Sequence, residues 1–285
     1  VIGTGTITGS DGMDYEPAEN LLKSGDYVKT VDGQVVDDKE GLIEKVNESH
    51  GEPVILGVLR EEEYIQLKLQ PVQVSEEEYK LGIWVRDDLA GVGTLTFYDG
   101  QGGYGALGHP VSDLDTGEKV NMGEGTLYEA EVAGITKGEK GSPGEIAGVI
   151  TYLDQYRLGT VEENTNVGIY GSLEKAPPKV GQENYFPIGL KQEMEEGEAT
   201  IISTVSGERK EYSIVITDMD YNSENKGILF QVTDPELLSL TGGIVQGMSG
   251  SPIIQNGKVI GAVTHVFVQD ASKGYGIFIE NMLQH

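Results

Sequence analysis

The chain has 285 residues, with 20 lysines and arginines against 47 aspartates and glutamates, a formal charge of −27 and no cysteine. Its length allows two domains, each with its own core, and 38% hydrophobic with 24% charged residues is a globular composition. The acidic field repels nucleic acid and anionic lipid, and the missing cysteine removes disulfides, thiolate metal sites and a cysteine nucleophile together. No run reaches ~18 uninterrupted apolar residues and no signal segment opens the chain. Val1 starts inside an apolar run, which reads as a fragment whose N-terminus has been removed.

"VIGTGTITG" alternates β-branched residues with glycine and predicts a strand. Glu16-Pro17-Ala18 predicts a short helix with proline at its start, ending at Gly25-Asp26. "YVKTV" reads as a strand and Asp32-Gly33 as a tight hairpin turn. Leu42, Ile43 and Val46 are spaced for a helix that stops at Gly51. "PVILGVLREEEYIQLKLQPV" predicts a strand pair with Glu61–Glu63 at its turn.

This order, with "PAENLLKSGDYVKTVDG" at its centre, resembles a PDZ domain of bacterial proteases. The resemblance rests on Pro17, Ala18, Glu19, Gly25, Asp26, Val31, Asp32 and Gly33. In that family the carboxylate-binding loop precedes the first strand found here, so peptide capture is not implied for this chain. The acidic stretch 73–82 marks the boundary, giving a PDZ-like domain over 1–74 and a second domain over 75–285. The second is β-rich with glycine turns throughout, which predicts a barrel or sandwich.

"GQGGYG" at 100–105 matches a dinucleotide-loop pattern, but Pro110 follows where the helix would have to run, so a turn between strands is expected. The pairs Asp37-Asp38, Asp87-Asp88 and Asp218/Asp220 lack the alternating loop of a calcium site and read as solvated surface. "GMSGSP" is different: Ser249 stands between glycines on a turn, the setting for an exposed nucleophile with backbone N–H groups facing the developing oxyanion. Gly247 and Ser249 are placed to give those two donors. A hairpin through Asn256-Gly257 would anchor the turn.

Among four histidines, His109 in "YGALGHPVSD" is the candidate base, 140 residues before Ser249. That order and separation suit a two-barrel serine protease of the chymotrypsin type, in which each barrel supplies one residue. His50 lies in the PDZ-like part and His285 at the end of the chain. His265, on the strand after the nucleophile, reads either as a substrate-pocket residue or as a buried strand histidine.

The stretches "LGIWVRDDLAGVGTLTFYD", "YGALGHPVSD" and "TDPELLSLTGGIVQGMSGSPIIQNGKVIGAVTHVFV" are similar to the stage IV sporulation protein B peptidases of endospore-forming Firmicutes. The similarity runs along nearly the whole chain. It implies a PDZ-like α/β domain followed by a chymotrypsin-like double β-barrel, mainly β overall, acting as a serine endopeptidase without cofactor or metal. By resemblance, the catalytic residues are Ser249, His109 and Asp234 of "VTDP". His265 occupies the place at which glutamate-specific and picornaviral proteases bind an acidic or amide side chain. Asp234, 15 residues before Ser249, also fits an N-cap of the "PELLSL" helix, while Asp154 has the spacing of a two-barrel triad acid and Asp113 is a third choice. The resemblance further implies secretion across the forespore membrane from an upstream anchor, self-processing, and cleavage of a regulatory subunit of a membrane-embedded metalloprotease that matures a sigma factor. A non-catalytic scaffold and an HtrA-like chaperone-protease are the alternatives.

Overall fold

The computed structural model describes residues 1–61, 63–113, 116–120, 125–177 and 185–285. The chain divides into two compact units, Val1–Ala90 with Ser112–Glu118, and Gly91–Val111 with Lys119–His285.

In the first unit, strands β1 (Tyr27–Val31) and β2 (Gln34–Val35) form a hairpin. At its turn Asp32 and Gly33 both adopt positive φ, the geometry an Asp-Gly pair tolerates best. Helix α1 (Lys39–Glu48) follows, its N-terminus capped by the Asp38 carboxylate, which accepts from the Gly41 N–H at 2.7 Å. Strands β3 (Val54–Arg60) and β4 (Glu63–Leu69) complete an antiparallel sheet of order β2-β1-β3-β4. The apolar positions alternate as expected: Val54, Leu56 and Val58 of β3 are fully buried and meet Leu42 and Val46 of α1. Asp26 is buried too. Burial alone would raise its pKa, but a two-pronged bond from Arg60 (2.6 Å to each oxygen) and the Lys23 N–H outweigh it, holding the carboxyl below its usual range.

Two local expectations differ. The segment opened by Pro17 is a run of turns, interrupted at Asn20 with φ +60°, rather than a helix. "VIGTGTITG" gives two separate two-residue pairings, Gly3–Thr4 and Ile7–Thr8, because its glycines supply no side chains to pack.

The second unit is β throughout, with short helices. Strands β5 (Leu95–Tyr98), β6 (Gly103–Ala106) and β7 (Gly125–Tyr128) lead into a hairpin of β8 (Ala130–Thr136) and β9 (Glu145–Ile150). After β10 (Arg157–Thr165) and β11 (Gly168–Leu173), five of these strands make a sheet of order β5-β6-β11-β10-β7, while β8-β9 stands as a separate two-stranded ribbon. The glycine-rich 100–105 stretch supplies the turn between β5 and β6 at 100–102 and then the start of β6, with Asp99 Oδ1 accepting from the Gln101 and Gly103 N–H groups.

The rest closes on itself. Strands β12 (Gly197–Ser203), β13 (Lys210–Met219), β14 (Ile228–Val232), β15 (Pro252–Gln255), β16 (Lys258–Val266) and β17 (Lys273–Phe278) form a closed barrel of order β12-β13-β14-β17-β16-β15. Its interior is packed by Ile201, Ile214, Ile216, Ile228, Phe230, Ile253, Val263 and Phe278. Helix α2 (Pro235–Thr241) lies between β14 and β15 and plugs this core through Leu237, which is fully buried. That one side chain is worth about 1.5–3 kcal/mol of burial. The sheet and the barrel meet through Phe97, Val167 and Tyr170 on one side and Ala262 and Ile277 on the other. The chain is therefore mainly β with a closed six-stranded barrel, as expected, and the preceding half is a five-stranded sheet with its ribbon.

Candidate active site

The nucleophile turn is built by three neighbours. Upstream, α2 ends at Gly242 in the left-handed conformation and releases the chain into 244–250. Ile244 and Val245 are buried in the barrel core, and Met248 is fully buried beside them. On one flank Gln246 is zipped to the ribbon: its N–H donates to Gly144 O and its carbonyl accepts from Ile146 N, each at 2.8 Å. Downstream, Gly250 N donates to Val263 O at 2.7 Å, and β15 and β16 turn through Asn256-Gly257, both at positive φ.

Gly250 has φ +91°, and a Cβ there would sit 2.1 Å from the Thr94 carbonyl oxygen and 2.7 Å from Leu107 N. Only glycine lets the turn approach this backbone so closely. The approach matters because Thr94 N donates to Ser249 O at 2.9 Å, Leu107 N donates to Thr94 O, and Leu107 is two residues from His109. Leu107 is a non-glycine residue at φ +68°, a conformation that costs about 1–3 kcal/mol and must be held by its surroundings.

Ser249 and His265 meet at Thr264. The Ser249 hydroxyl donates to Thr264 O at 3.1 Å, and Thr264 Oγ1 is itself fixed by the carbonyls of Asn225 and Tyr275. The ring of His265, the next residue, lies 5.4 Å from the ring of His109, centroid to centroid. Three polar side chains, from the bend after β6, the nucleophile turn and strand β16, thus share one half-buried locus. The backbone N–H groups of Gly247 and Ser249 donate to no described residue, so both are available to an incoming oxyanion.

His109 Nδ1 faces the carbonyl oxygen of Pro110 at 2.8 Å. A carbonyl only accepts, so Nδ1 carries the proton and Nε2 keeps its lone pair, the tautomer a general base needs. Burial lowers the His109 pKa, and the Pro110 contact opposes this only in part. His265 is pushed down to about 4 by burial, then by Lys226 and His109, and its buried Nδ1 has no partner among the described residues.

Asp234 is placed elsewhere. It is the N-cap of α2: Oδ1 accepts from Leu237 N at 3.0 Å and Oδ2 from Ser213 N at 3.3 Å. Asp154 opens an exposed 3-10 turn, and Asp113 lies in the first unit, where it accepts from Thr116 N and faces Arg86. No carboxylate bonds to His109 among the described residues. His50 follows α1 in the first unit, and His285 stacks on Tyr170. Sequence reasoning missed the carbonyls of Pro110 and Thr264, because main-chain contacts carry no residue signature.

Residues 77–283 match the family described as SpoIVB peptidase S55. The chain belongs to this family. Its members' class of chemistry, serine endopeptidase action, is accordingly that of this chain. No curated protein matches it. Among solved structures, similarity is found to the inactive form of the Rv3671c protease, at 15% identity over 56% of this chain and 84% of that one, with a TM-score of 0.32. A serine-to-alanine variant of Rv3671c from Mycobacterium tuberculosis H37Rv, also an inactive form, gives 14% identity over 53% of this chain and 84% of that one, with a TM-score of 0.29. Human heparin binding protein gives 14% identity over 54% and 66%, with a TM-score of 0.31.

Proposed function

We propose that Ser249 is the acylated nucleophile and His109 its base. The observation that carries this is the shared locus: the Ser249 hydroxyl bonds to Thr264 O, next to His265, whose ring neighbours that of His109. Among the described residues His109 Nε2 bonds to none, so it can accept a proton. Rotation of the Ser249 hydroxyl away from Thr264 frees it for attack on a peptide carbonyl, with the proton passing to Nε2. The Gly247 and Ser249 N–H groups receive the carbonyl oxygen, a contribution of about 3–4 kcal/mol per donor in related sites. His265, neutral at physiological pH, lines the substrate position and offers a hydrogen bond rather than a charge.

Family membership supports a sporulation role: cleavage of a regulatory protein that controls a membrane-embedded metalloprotease, with processing of its own chain. The resemblance of the sequence, rather than the family match over 77–283, carries two further parts of the proposal: action outside the forespore membrane, and the first unit, PDZ-like over 1–74, as a docking element for a protein partner. Labelling with a fluorophosphonate tests the core of the reading. Ser249→Ala should abolish labelling and peptide hydrolysis, and His109→Ala should remove nearly all of both, with Tm close to parental. Substantial hydrolysis by Ser249→Ala would sink it, and an unlabelled parent chain would favour a non-catalytic scaffold.

A further inference from the structure

Helix α1 of the first unit is tied at both ends to a segment from much later in the chain. Tyr79 N donates to Asn47 Oδ1 at 2.8 Å in the last turn of the helix, and Lys39 N donates to Asp87 Oδ2 at 2.7 Å in the first. Between these ties Ile83–Trp84 pairs antiparallel with Gly3–Thr4, and Gly5 N donates to Gly82 O at 2.8 Å. Leu81 is buried, and Tyr79, Ile83 and Val85 pack with it on the core that holds Leu42 and Val46 of α1. Alternate side chains thus turn inward while Trp84 stays exposed, with its indole over Gly5. Residues 79–87 fill the groove between α1 and the strand edge at 3–5 as an added strand. Gly82 shows how close the fit is: at φ +65°, a Cβ there would lie 2.6 Å from Gly5 O.

We propose that residues 79–87 are an internal ligand, held in a groove that takes an extended segment of a partner protein in their place. This rests on the reading of the first unit as a docking element, and not on the assignment of Ser249. The contacts define the class of partner segment. Pairing with the main chain at Gly3 and Gly5 asks only for an extended backbone, and an internal segment needs no carboxylate-binding loop. Apolar side chains at alternate positions, in the places of Leu81, Ile83 and Val85, give selectivity, and glycine is required where Gly82 meets Gly5 O. Lys80 and Arg86 flank these positions in a chain of formal charge −27, so a basic segment fits better than an acidic one. Covalent attachment gives the internal strand an effective concentration on the order of millimolar, so a partner engages only by outcompeting it. The segment then released is the one that leads into the second unit at Gly91.

The test titrates the isotope-labelled full chain with an unlabelled peptide copying residues 79–87, and follows by NMR the indole N–H resonance of Trp84, the chain's one tryptophan. In the parent the peptide should bind weakly and move this resonance toward that of a free indole. Gly82→Ala, which drives the internal strand off Gly5 O, should bind the peptide about tenfold tighter or more, because its competitor is gone. Thr4→Cys combined with Ile83→Cys joins two Cα partners by a disulfide in a chain that has no other cysteine. The oxidised form should bind no peptide, and reduction should restore binding. Should Gly82→Ala fail to fold, the oxidised and reduced forms decide alone. Equal binding by those two forms would overturn the proposal and leave the docking reading with another surface. Absence of binding by every folded chain, the reduced form included, would overturn the groove and the docking reading together.

Discussion

His109 and His265 stand ring to ring, and each holds its proton less firmly than it would in water. For His109 the cause is burial, which disfavours the imidazolium and leaves the neutral base available at lower pH. The rate should thus rise with pH through a midpoint below the imidazole's usual ~6.5, because only the neutral form accepts the serine proton. His265, at about 4, is already neutral across that limb. The His265→Gln variant should consequently keep the limb where it is, whatever it does to KM. A kcat/KM profile centred at or above the usual value would contradict this reading of the site. The sign for stability follows from the same shifts. Both imidazoles are depressed in the folded chain, so the unfolded chain binds more protons below ~6.5, and the folded chain loses stability as pH falls from there toward 4.

At the scale of elements, the ribbon β8-β9 is what holds the nucleophile turn from outside the barrel. Gly138 N donates to Thr241 O and Lys137 Nζ to Ser239 O, tying the ribbon's turn to the C-terminus of α2, where a cation suits the helix dipole. Gly144 and Ile146 then pair with Gln246, one residue before the first oxyanion donor. A Cβ on Gly144 would lie 2.2 Å from Thr136 O and 2.5 Å from Gly138 N, so Gly144→Ala must open the ribbon. We expect it to slow fluorophosphonate labelling by about tenfold or more while the barrel core, which excludes Gly144, keeps Tm within a few degrees. Parental labelling would show that the ribbon does not position the turn. These elements differ in how far they could be read from sequence. Asp32-Gly33 and Asn256-Gly257 announce their hairpins because few other pairs take two positive φ values. The "PELLSL" helix was legible from its Asp-Pro start, and so was the capping reading of Asp234. The turn run after Pro17 was not, since nothing local records that Asn20 breaks it. The link between His109 and Ser249 was legible only as residue types and order. The contacts that join them pass through the main chain of Thr94, Leu107 and Thr264, where any residue could supply the same atoms.

At the scale of the whole molecule, each buried apolar cluster among the described residues draws on one unit. One core, around Leu56, Val58 and Leu42, draws only on the first unit. The barrel core and the two clusters of the five-stranded sheet draw only on the second. Every side chain assigned to the chemistry, from His109 to His265, belongs to the second as well. Separate cores of this kind fold as separate units unless a large apolar interface joins them. Among the described residues, the hydrogen bonds that build the nucleophile turn and hold the His109 ring lie within the second unit. A chain beginning at Gly91 should therefore melt cooperatively and label at Ser249 with a fluorophosphonate at a rate within about tenfold of the full chain. Its segment Ser112–Glu118, which clusters with the first unit, is left without those neighbours and should be the first site of proteolytic nicking. A shortened chain that folds, by circular dichroism and a cooperative melt, yet does not label would show that the first unit completes the catalytic site instead of serving as a docking element.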